Sequence, residues 1–304
     1  MQQRNIAVVT GGAGFIGSHL SKALLGRGYE VRVVDDLSSG KRERVPKGAS
    51  FHNLDVRDRA KLLDISRGAS AMFHLAANAS VQYSLEHPEE TNDINVHGTL
   101  AALQTAREAG VTRFVFSGSS AIYGDQEADR LNENLPPRLK SPYGLQKYVG
   151  ELYCRLYAEA YGLGSVSLRY FNVYGEGART SGPYAPLIAL FLKQQAEGRP
   201  LTVTGDGKQT RDFIHVRDVV AANLLAAESS MVGHGEAINI GSGAATSVNE
   251  IAALIGGKVE HVPARLEPRR SLADPSLARK LLAWQPTISL RDGIEELKRG
   301  VDLN

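Results

Sequence analysis

Cysteine is almost absent from this chain of 304 residues, since Cys154 is the only one. A single thiol excludes an internal disulfide framework and any metal cluster held by several cysteines. Cys154 lies in the apolar pattern ELYCRLY, so we predict that it packs in a helix and does not act as a nucleophile. The 8 histidines show no spacing with acidic residues that is typical of a metal site, and we expect no metal.

Long apolar runs and charge of one sign are also lacking. No apolar stretch reaches the ~18 residues that a membrane-spanning helix needs, and the polar start MQQRN leads directly into a predicted strand, unlike a secretory signal. The formal net charge is +2, and the basic cluster 41–44 is short and interrupted by a glutamate, so we predict a solvated loop there. We therefore expect a cytoplasmic protein that has neither a membrane nor a nucleic acid as a partner.

The first half of the chain alternates short β-branched runs with longer amphipathic runs. The predicted strands are 6–10, 30–35, 50–56, 71–77, 113–119 and 165–171, and the predicted helices are 15–27, 58–66, 91–109 and 142–161. This alternation predicts an α/β fold in which a doubly wound parallel sheet has helices on both faces.

The pattern loosens after residue 172. Residues 172–186 are rich in glycine, proline and small polar residues and indicate a loop. Strands are predicted within 200–207 and 236–243, and helices at 186–197, 216–228, 274–282 and 289–300. We assign 1–171 plus approximately 213–242 to the first domain. A smaller α/β region is assigned to 172–212 plus 243–304.

A glycine-rich turn follows the first predicted strand. Gly11, Gly14 and Gly17 form the pattern G-x-x-G-x-x-G in VVTGGAGFIGSHL. Such glycines permit a tight turn, a close approach of the backbone to a pyrophosphate, and tight packing of helix on strand. The helix that begins there offers free N–H groups to phosphates. Asp35 ends the second strand, where a carboxylate binds ribose hydroxyls and repels a 2′-phosphate, so the pattern predicts a Rossmann site for NAD rather than NADP.

The stretch SPYGLQKYVGE, 141–151, places a phenol and an ammonium four residues apart. Ser141 is suited to cap a helix and Pro142 to its first turn, so Tyr143 and Lys147 are predicted to share one helix face. Taken alone, the pair has two interpretations. Tyr143 packs and Lys147 is solvated, or the two side chains form a catalytic pair.

Further motifs favour the catalytic interpretation. They are HLAA (74–77), NVHGT (95–99), SGSSAIYG (117–124), LRYFNVYG (168–175), GDGKQTRDFIHVRD (205–218) and RRSLAD (269–274). With the glycine loop and the Tyr143/Lys147 pair, they resemble the extended short-chain dehydrogenase/reductases, specifically the nucleotide-sugar epimerases and dehydratases. The likeness covers nearly the whole chain and is closest to the UDP-hexose 4-epimerases.

The resemblance implies that the first domain binds NAD and the smaller region binds a UDP-sugar. The expected NAD-binding residues are Gly11, Gly14, Phe15, Ile16, Gly17, Asp35, Asp36, Ser39, Gly40, Asp55, Val56, Leu75, Ala76, Ala77, Tyr143, Lys147 and Tyr170. Asp55 has two interpretations, a hydrogen bond to the adenine amino group or a turn aspartate before Val56.

The resemblance also implies catalytic roles for Tyr143, Lys147, Ser119 and Asn95. A free tyrosine has a pKa near ~10 and is a poor base, but a nearby ammonium and a positive nicotinamide ring favour tyrosinate. Tyr143 is then the base that takes a proton from the sugar hydroxyl. Ser119 is expected to bond the reacting oxygen, with Ser120 as the alternative, and Asn95 to support Lys147 or to lie on a solvated helix face.

The residues after Ser119 bear on the choice of reaction. The 4,6-dehydratases of the family carry an Asp-Glu pair there, and the decarboxylases usually carry a glutamate, whereas this chain has Ser120 and Ala121. We therefore expect C4 epimerisation of a UDP-hexose, in which NAD stays bound. The alternatives are a UDP-glucuronate 4-epimerase, a decarboxylase, or a non-catalytic NAD-binding scaffold.

The expected substrate-binding residues are Ser84, Ser119, Ser120, Tyr143, Asn172, Leu187, Val203, Arg211, Arg265 and Ser271. Asn172 and Arg211 match residues that bind the diphosphate, and Arg265 or Arg269 is a second clamp unless it forms a surface ion pair. Val203 lines the uracil pocket or is core, and Ser84 faces the sugar or caps a turn. The resemblance implies that Ser271 occupies a gate, where a large tyrosine restricts the pocket in relatives and a small residue admits a 2-acetamido group. Relatives are often dimers built from paired helices, so we expect a homodimer through 91–109 and 142–161.

Overall fold

The computed structural model describes residues 5–180, 185–264 and 268–300. The strands are β1 (Ile6–Thr10), β2 (Glu30–Asp35), β3 (Ser50–Asn53), β4 (Ala71–His74), β5 (Arg113–Ser119), β6 (Ser165–Tyr170), β7 (Asn172–Tyr174), β8 (Leu201–Thr204), β9 (Thr210–His215), β10 (His234–Ile240), β11 (Ala245–Ser247), β12 (Val259–Val262) and β13 (Arg270–Ser271).

The helices are α1 (Phe15–Gly26), α2 (Arg59–Ser66), α3 (Val81–Glu86), α4 (Pro88–Asn92), α5 (Gly98–Glu108), α6 (Pro142–Tyr161), α7 (Leu187–Ala196), α8 (Val216–Glu228), α9 (Val248–Ile255), α10 (Ser276–Leu282) and α11 (Leu290–Gly300). A π-helical turn, Asp93–His97, joins α4 to α5 without a break in helical backbone. The predicted helix 91–109 is therefore the end of α4, this turn and α5.

The central sheet has the order β10-β6-β5-β4-β1-β2-β3, and all its strands are parallel. One face packs on α1, α8 and α10, through residues such as Leu24, Val219 and Leu282. The other face packs on α2, α5 and α6, through residues such as Leu62 and Leu103. Both faces are covered, as the alternation of strands and helices predicts.

The predicted strands of this sheet are confirmed, except that the third ends at Asn53 and not at 56, the fourth at His74 and not at 77, and the sixth at Tyr170 and not at 171. Leu54 still donates its backbone N–H to Asp35, but Asp55 then accepts the N–H of Arg57 and turns the chain toward α2. Hydrogen bonds from a side chain to the backbone of a residue close in sequence compete with strand pairing, which is why the third strand ends at Asn53.

A second, smaller layer is built mainly from the C-terminal half of the chain. β9 pairs with β7, β11 and β13, and β8 pairs with β12. A separate core that includes Phe191, Leu201 and Ile251 joins these strands to α7, α9 and α11. The predicted boundary is wrong for 276–284, because Leu282 and Trp284 pack in the core of the central sheet and not in this layer.

A buried ion pair ties α6 to the central sheet. Glu151 on α6 accepts two hydrogen bonds from Arg169 on β6, at 2.6 and 2.8 Å, and both side chains are buried. Removal of one member of a buried pair leaves an uncompensated charge in a medium of low dielectric constant. The pair therefore fixes α6 only while both members are present.

We expect Glu151→Ala to lower the free energy of unfolding by about 3–5 kcal/mol, because Arg169 would stay buried without its partner. The matched control is Glu159→Ala, which breaks an exposed pair with Arg155 on the same helix and is expected to cost less than about 1 kcal/mol. Urea denaturation of both variants measures the difference. Equal losses would contradict the role given to the buried pair.

Candidate active site

The glycine loop between β1 and α1 has the geometry that the sequence predicts. Gly11 adopts φ +70°, and a Cβ there would lie 2.7 Å from the backbone nitrogen of Ala76. A Cβ at Gly17 would lie 2.2 Å from the carbonyl oxygen of Gly11. Gly14 is the N-cap of α1 and offers no side chain to the first N–H groups of the helix. Those N–H groups and the positive end of the helix dipole suit the pyrophosphate of a dinucleotide.

Asp35 ends β2 next to this loop. Its carboxylate accepts the N–H of Ala13 at 3.0 Å and the N–H of Leu37 at 2.9 Å, so its orientation is fixed. Burial raises the pKa of Asp35, and the two backbone hydrogen bonds oppose that rise. A Cβ at Gly40 would lie 2.6 Å from Asp35 Oδ1, so glycine there keeps the space beside the carboxylate open. The donor set therefore fits the ribose and pyrophosphate of NAD.

Most other predicted cofactor residues surround the same edge of the sheet. Phe15 and Ile16 open α1, Asp36 and Ser39 are exposed after β2, Val56 is buried after β3, and Leu75, Ala76 and Ala77 follow β4. Two side chains are engaged elsewhere. Tyr170 donates its hydroxyl to Asn223 on α8, and Asp55 pairs with Arg57 in the turn that it forms. Their contacts with NAD stay a prediction.

The predicted start of α6 is confirmed in detail. Ser141 caps the helix by accepting the N–H of Gly144 at 3.1 Å, and Pro142 opens the first turn. Tyr143 and Lys147 lie on one face and are both buried, so the interpretation that Lys147 is solvated is wrong. The Lys147 ammonium donates to the carbonyl of Ser117 at 2.9 Å and lies 6.0 Å from the centre of the Tyr143 ring.

Burial acts against the charged form of both side chains. It raises the pKa of Tyr143, and a hydrogen bond with Ser119 only partly offsets this. Burial also lowers the pKa of Lys147 to about 8. Of the two cations expected to favour tyrosinate, the Lys147 ammonium does not offset the effect of burial on the pKa of Tyr143. A further positive charge is needed next to the phenol.

Ser119 ends β5 beside the phenol of Tyr143. Its Oγ bonds with Tyr143 and also accepts the N–H of Ala121 at 3.1 Å. Ser120 begins a short 3₁₀ turn, Ser120–Ile122, one residue further from the strand. The structure thus brings Ser119, Tyr143 and Lys147 together at the carboxyl end of β5, which is where ligands bind in open α/β sheets.

Asn95 is buried in the π-helical turn, so the alternative of a solvated helix face is wrong. Its side chain accepts the N–H of Asn78 at 2.8 Å, donates to the carbonyl of Asn78 at 3.0 Å and donates to Gln146 at 2.8 Å. Gln146 precedes Lys147 on α6. Asn95 therefore fixes the loop after β4 against the helix that carries the lysine. Asn78 and Gln146 were not predicted as site residues, although Asn78 directly follows HLAA and Gln146 directly precedes Lys147 in the sequence.

Ser84 lies under the start of α6. Its hydroxyl is fully buried, donates to the carbonyl of Val81 at 2.6 Å and accepts the N–H of Tyr143 at 3.1 Å. Of the two interpretations of Ser84, the structure does not support the contact with the sugar, because the side chain is fully buried and its proton is donated to a backbone carbonyl. Ser84 instead holds the backbone of Tyr143.

A cavity of about 420 Å³ lies in the second layer. It is lined by Asn172, Leu187 and Arg211 among the predicted substrate-binding residues. Val203 is fully buried in the core of that layer, so its assignment to the pocket is wrong. Side chains alternate along β8, and its neighbours Thr202 and Thr204 line the cavity instead. The volume and the mixture of apolar and polar groups suit a small ligand.

Ser271 lies opposite Arg211, which lines this cavity, because β13 pairs with β9 in that register. Arg269 does not reach the cavity as a clamp in this structure. Its side chain is 74% exposed and pairs with Asp206 at 3.2 Å, which is the surface ion pair that the sequence left open. Arg265, the other candidate, lies outside the described residues.

The histidine of the HLAA motif is structural. His74 is fully buried between the hydroxyls of Thr10, at 2.8 Å, and Thr99, at 3.1 Å. Burial, aided by the charge of Lys147, lowers the pKa of His74 to about 3, so His74 is neutral at ordinary pH.

Within the described ranges, no group of three or more His, Cys, Asp or Glu side chains is arranged to hold a metal ion. The helices described also include none that is long and apolar enough to cross a membrane.

Comparisons with known proteins agree with this geometry. The model of the NAD dependent epimerase/dehydratase family matches residues 7–241. A putative UDP-glucose 4-epimerase of Methanocaldococcus jannaschii is 38% identical over 299 residues, which are 95% of this chain and 96% of that protein.

Solved structures match over almost the whole chain. A UDP-glucose 4-epimerase of Thermotoga maritima with UDP-glucose is 37% identical, covers 98% of this chain and 100% of its own, and has a TM-score of 0.92. A Thermus thermophilus UDP-glucose 4-epimerase complex with NAD is 36% identical, with 97% and 99% coverage and a TM-score of 0.89. A UDP-glucuronic acid 4-epimerase of Bacillus cereus is also similar, at 31% identity, 95% and 96% coverage and a TM-score of 0.86.

Proposed function

Because the chain belongs to the NAD-dependent epimerase/dehydratase family, we propose that it is an NAD-dependent UDP-hexose 4-epimerase that interconverts UDP-glucose and UDP-galactose. One observation carries the choice of reaction. Tyr143 and Lys147 are buried beside Ser119, and positions 120 and 121, which follow Ser119, carry no carboxylate. The site has a base for the C4 hydroxyl and no second acid–base pair at these positions.

The chain's own residues move the proton. Tyr143, as tyrosinate, takes the proton of the C4 hydroxyl, and Ser119 orients the reacting oxygen by a hydrogen bond. A bound NAD would supply the hydride acceptor and donor for C4, with the hydride removed from one face of the sugar and returned to the other, so that no net redox change would occur. Lys147 supplies positive charge near the phenol. At the end of the reaction, Tyr143 returns the proton to the C4 oxygen of the product.

The glycine loop and Asp35 hold NAD, and the second layer holds the UDP-sugar. Arg211 is suited to the diphosphate because a guanidinium binds phosphate oxygens in a bidentate manner. Asn172 lies in the same cavity. Ser271 leaves room at the gate beside Arg211, so we expect UDP-N-acetylglucosamine and UDP-N-acetylgalactosamine to be accepted as well.

Epimerisation of UDP-glucuronate is the second candidate, supported by the likeness to the Bacillus cereus enzyme. A uronate needs a cation near C6, and the sequence offers Arg179, which is exposed in the loop after β7. A non-catalytic scaffold has no need of a phenol and an ammonium buried side by side with Ser119. Product analysis by NMR with UDP-glucose, UDP-N-acetylglucosamine and UDP-glucuronate, without added NAD, separates these functions.

We expect Tyr143→Phe to lower kcat with the preferred UDP-sugar by about 10³-fold, because the base is lost. The NAD content of the purified variant is expected to stay near that of the wild type, since Phe keeps the ring. The matched control is Tyr148→Phe, on the same helix and packed against a different cluster, with turnover unchanged. Retention of most activity by Tyr143→Phe would show that another group is the base.

We propose that the protein is a homodimer. Leu145, Leu152 and Leu156 recur at intervals of seven and four residues along α6 and are 44–49% exposed. The predicted interface stretch 91–109 has no exposed large apolar side chain, whereas Val81 and Leu85 on α3, which neighbours α6, are 45% and 51% exposed. A second copy of the chain is the partner that fits this apolar face, because paired helices bury such a stripe.

The cytoplasmic location stays a prediction from the sequence.

We expect Leu152→Glu to shift the protein from dimer to monomer in sedimentation velocity, because a charge would be buried at the interface. Met231→Glu changes a residue that is 60% exposed outside this face and is the control. A wild-type protein that sediments as a monomer, or a Leu152→Glu variant that sediments as the wild type, would contradict the proposal.

A further inference from the structure

The carboxylate of Asp212 is completely buried one residue after Arg211. It accepts four hydrogen bonds from neutral donors: the Ser242 N–H and hydroxyl, both at 2.6 Å, the Gly243 N–H at 2.9 Å and the Ala273 N–H at 3.1 Å. The donors belong to the loop between β10 and β11 and to the segment after β13. One carboxylate thus joins three segments that are far apart in the sequence.

Asp212 does not face the substrate cavity. Gln209, Arg211 and Phe213 line the cavity. Because side chains alternate along a strand, Asp212 points to the opposite side of β9. Its effect on a ligand must therefore pass through the residues that it holds.

Those residues include three that we assign to the substrate. β13 has only two residues, so its pairing with β9 gives it little hold of its own, and the bond from Ala273 to Asp212 fixes the segment that carries Ser271 opposite Arg211. On the other side, Thr246 of β11 lies opposite Arg211. The backbone carbonyl of Asp212 also accepts the Asn172 side-chain amide at 3.0 Å.

We propose that Asp212 is the positioning residue of the substrate site, which fixes Asn172, Arg211 and Ser271 as one unit. The inference rests on the proposed function of these three residues. Asp212 contributes to affinity for the UDP-sugar and leaves proton transfer at Tyr143 and the binding of NAD unchanged, since its bonds all lie in or beside the second layer.

The test is Asp212→Asn, which keeps the shape but replaces one acceptor oxygen by an amide that cannot accept the N–H groups. Unpaired buried donors displace the segments that hold them, so we expect the KM for the UDP-sugar and the Kd for UDP to rise about 10- to 100-fold. We expect kcat to stay within about threefold, as a loss of uniform binding predicts, and the NAD content to be unchanged.

The matched control is Asp218→Asn. Asp218 is also buried and accepts the Thr287 N–H and hydroxyl and the Ile288 N–H, at 3.0, 2.7 and 3.2 Å, but it lies on α8. The Asp218→Asn variant is expected to have a lower Tm and an unchanged KM for the UDP-sugar. A purely structural role for Asp212 would make the two variants alike, with lower Tm and unchanged KM, and would overturn the proposal.

Ser242→Ala is the second variant, which removes one donor and leaves the carboxylate in place. We expect a smaller rise in KM and in the Kd for UDP, and unchanged constants would overturn the proposal even if Asp212→Asn does not fold. Calorimetric titration of UDP reports on the site without turnover. A wild type that binds UDP but epimerises no UDP-sugar would refute the proposed function and not the role of Asp212.

Discussion

The burial of a phenol and an ammonium on one face of α6 is the constraint on which the rest of the site depends. Tyr143 and Lys147 each take one polar partner from the end of β5, the hydroxyl of Ser119 and the carbonyl of Ser117. Burial opposes charge on both side chains, so the pair is not an active base by itself. The glycine loop and Asp35 lie at the same edge of the sheet, and a bound NAD would bring the missing positive charge to the phenol.

The two layers are held together by buried polar groups rather than by apolar packing alone. The hydroxyl of Tyr123, on the loop after β5, bonds with both Arg169 and Asn239, at 2.7 Å each. Asn239 in turn donates to the carbonyl of Leu131 at 2.7 Å, and Asp274 donates its N–H to the same carbonyl. The catalytic helix and the segment that carries the substrate gate are therefore connected by a network of hydrogen-bonded buried polar groups.

The sequence was sufficient to predict features that depend on residues close together in the chain, such as turns and helix caps. The tight turn at Gly11, the close packing at Gly17 and the position of Asp35 at the end of β2 match the predictions, because a tight turn after a strand permits few residue types, and the cap of α6 follows from Ser141 and Pro142. Helix α9 was missed although its capping box, Ser247 with Glu250, was a readable signal.

Partners from distant segments could not be predicted in the same way. For Ser84 the sequence leaves open a contact with the sugar or the cap of a turn, but a bond to the backbone of Tyr143, 59 positions away, decides its role. The partners of Asn95 and the side of β8 on which Val203 lies also follow only from the folded chain. Spacing along the sequence gives the residue types of a site, and long-range pairing decides which of them face the ligand.

The central claim is that Tyr143 is held neutral by burial until the positive charge of NAD lowers its pKa. A pH titration of the near-ultraviolet tyrosinate absorbance tests it most directly, if the Tyr143→Phe signal is subtracted and the protein is measured with and without NAD. The account predicts that Tyr143 ionises above its ordinary pKa without NAD and at clearly lower pH with NAD bound. An ionisation at the same pH in both forms would contradict it.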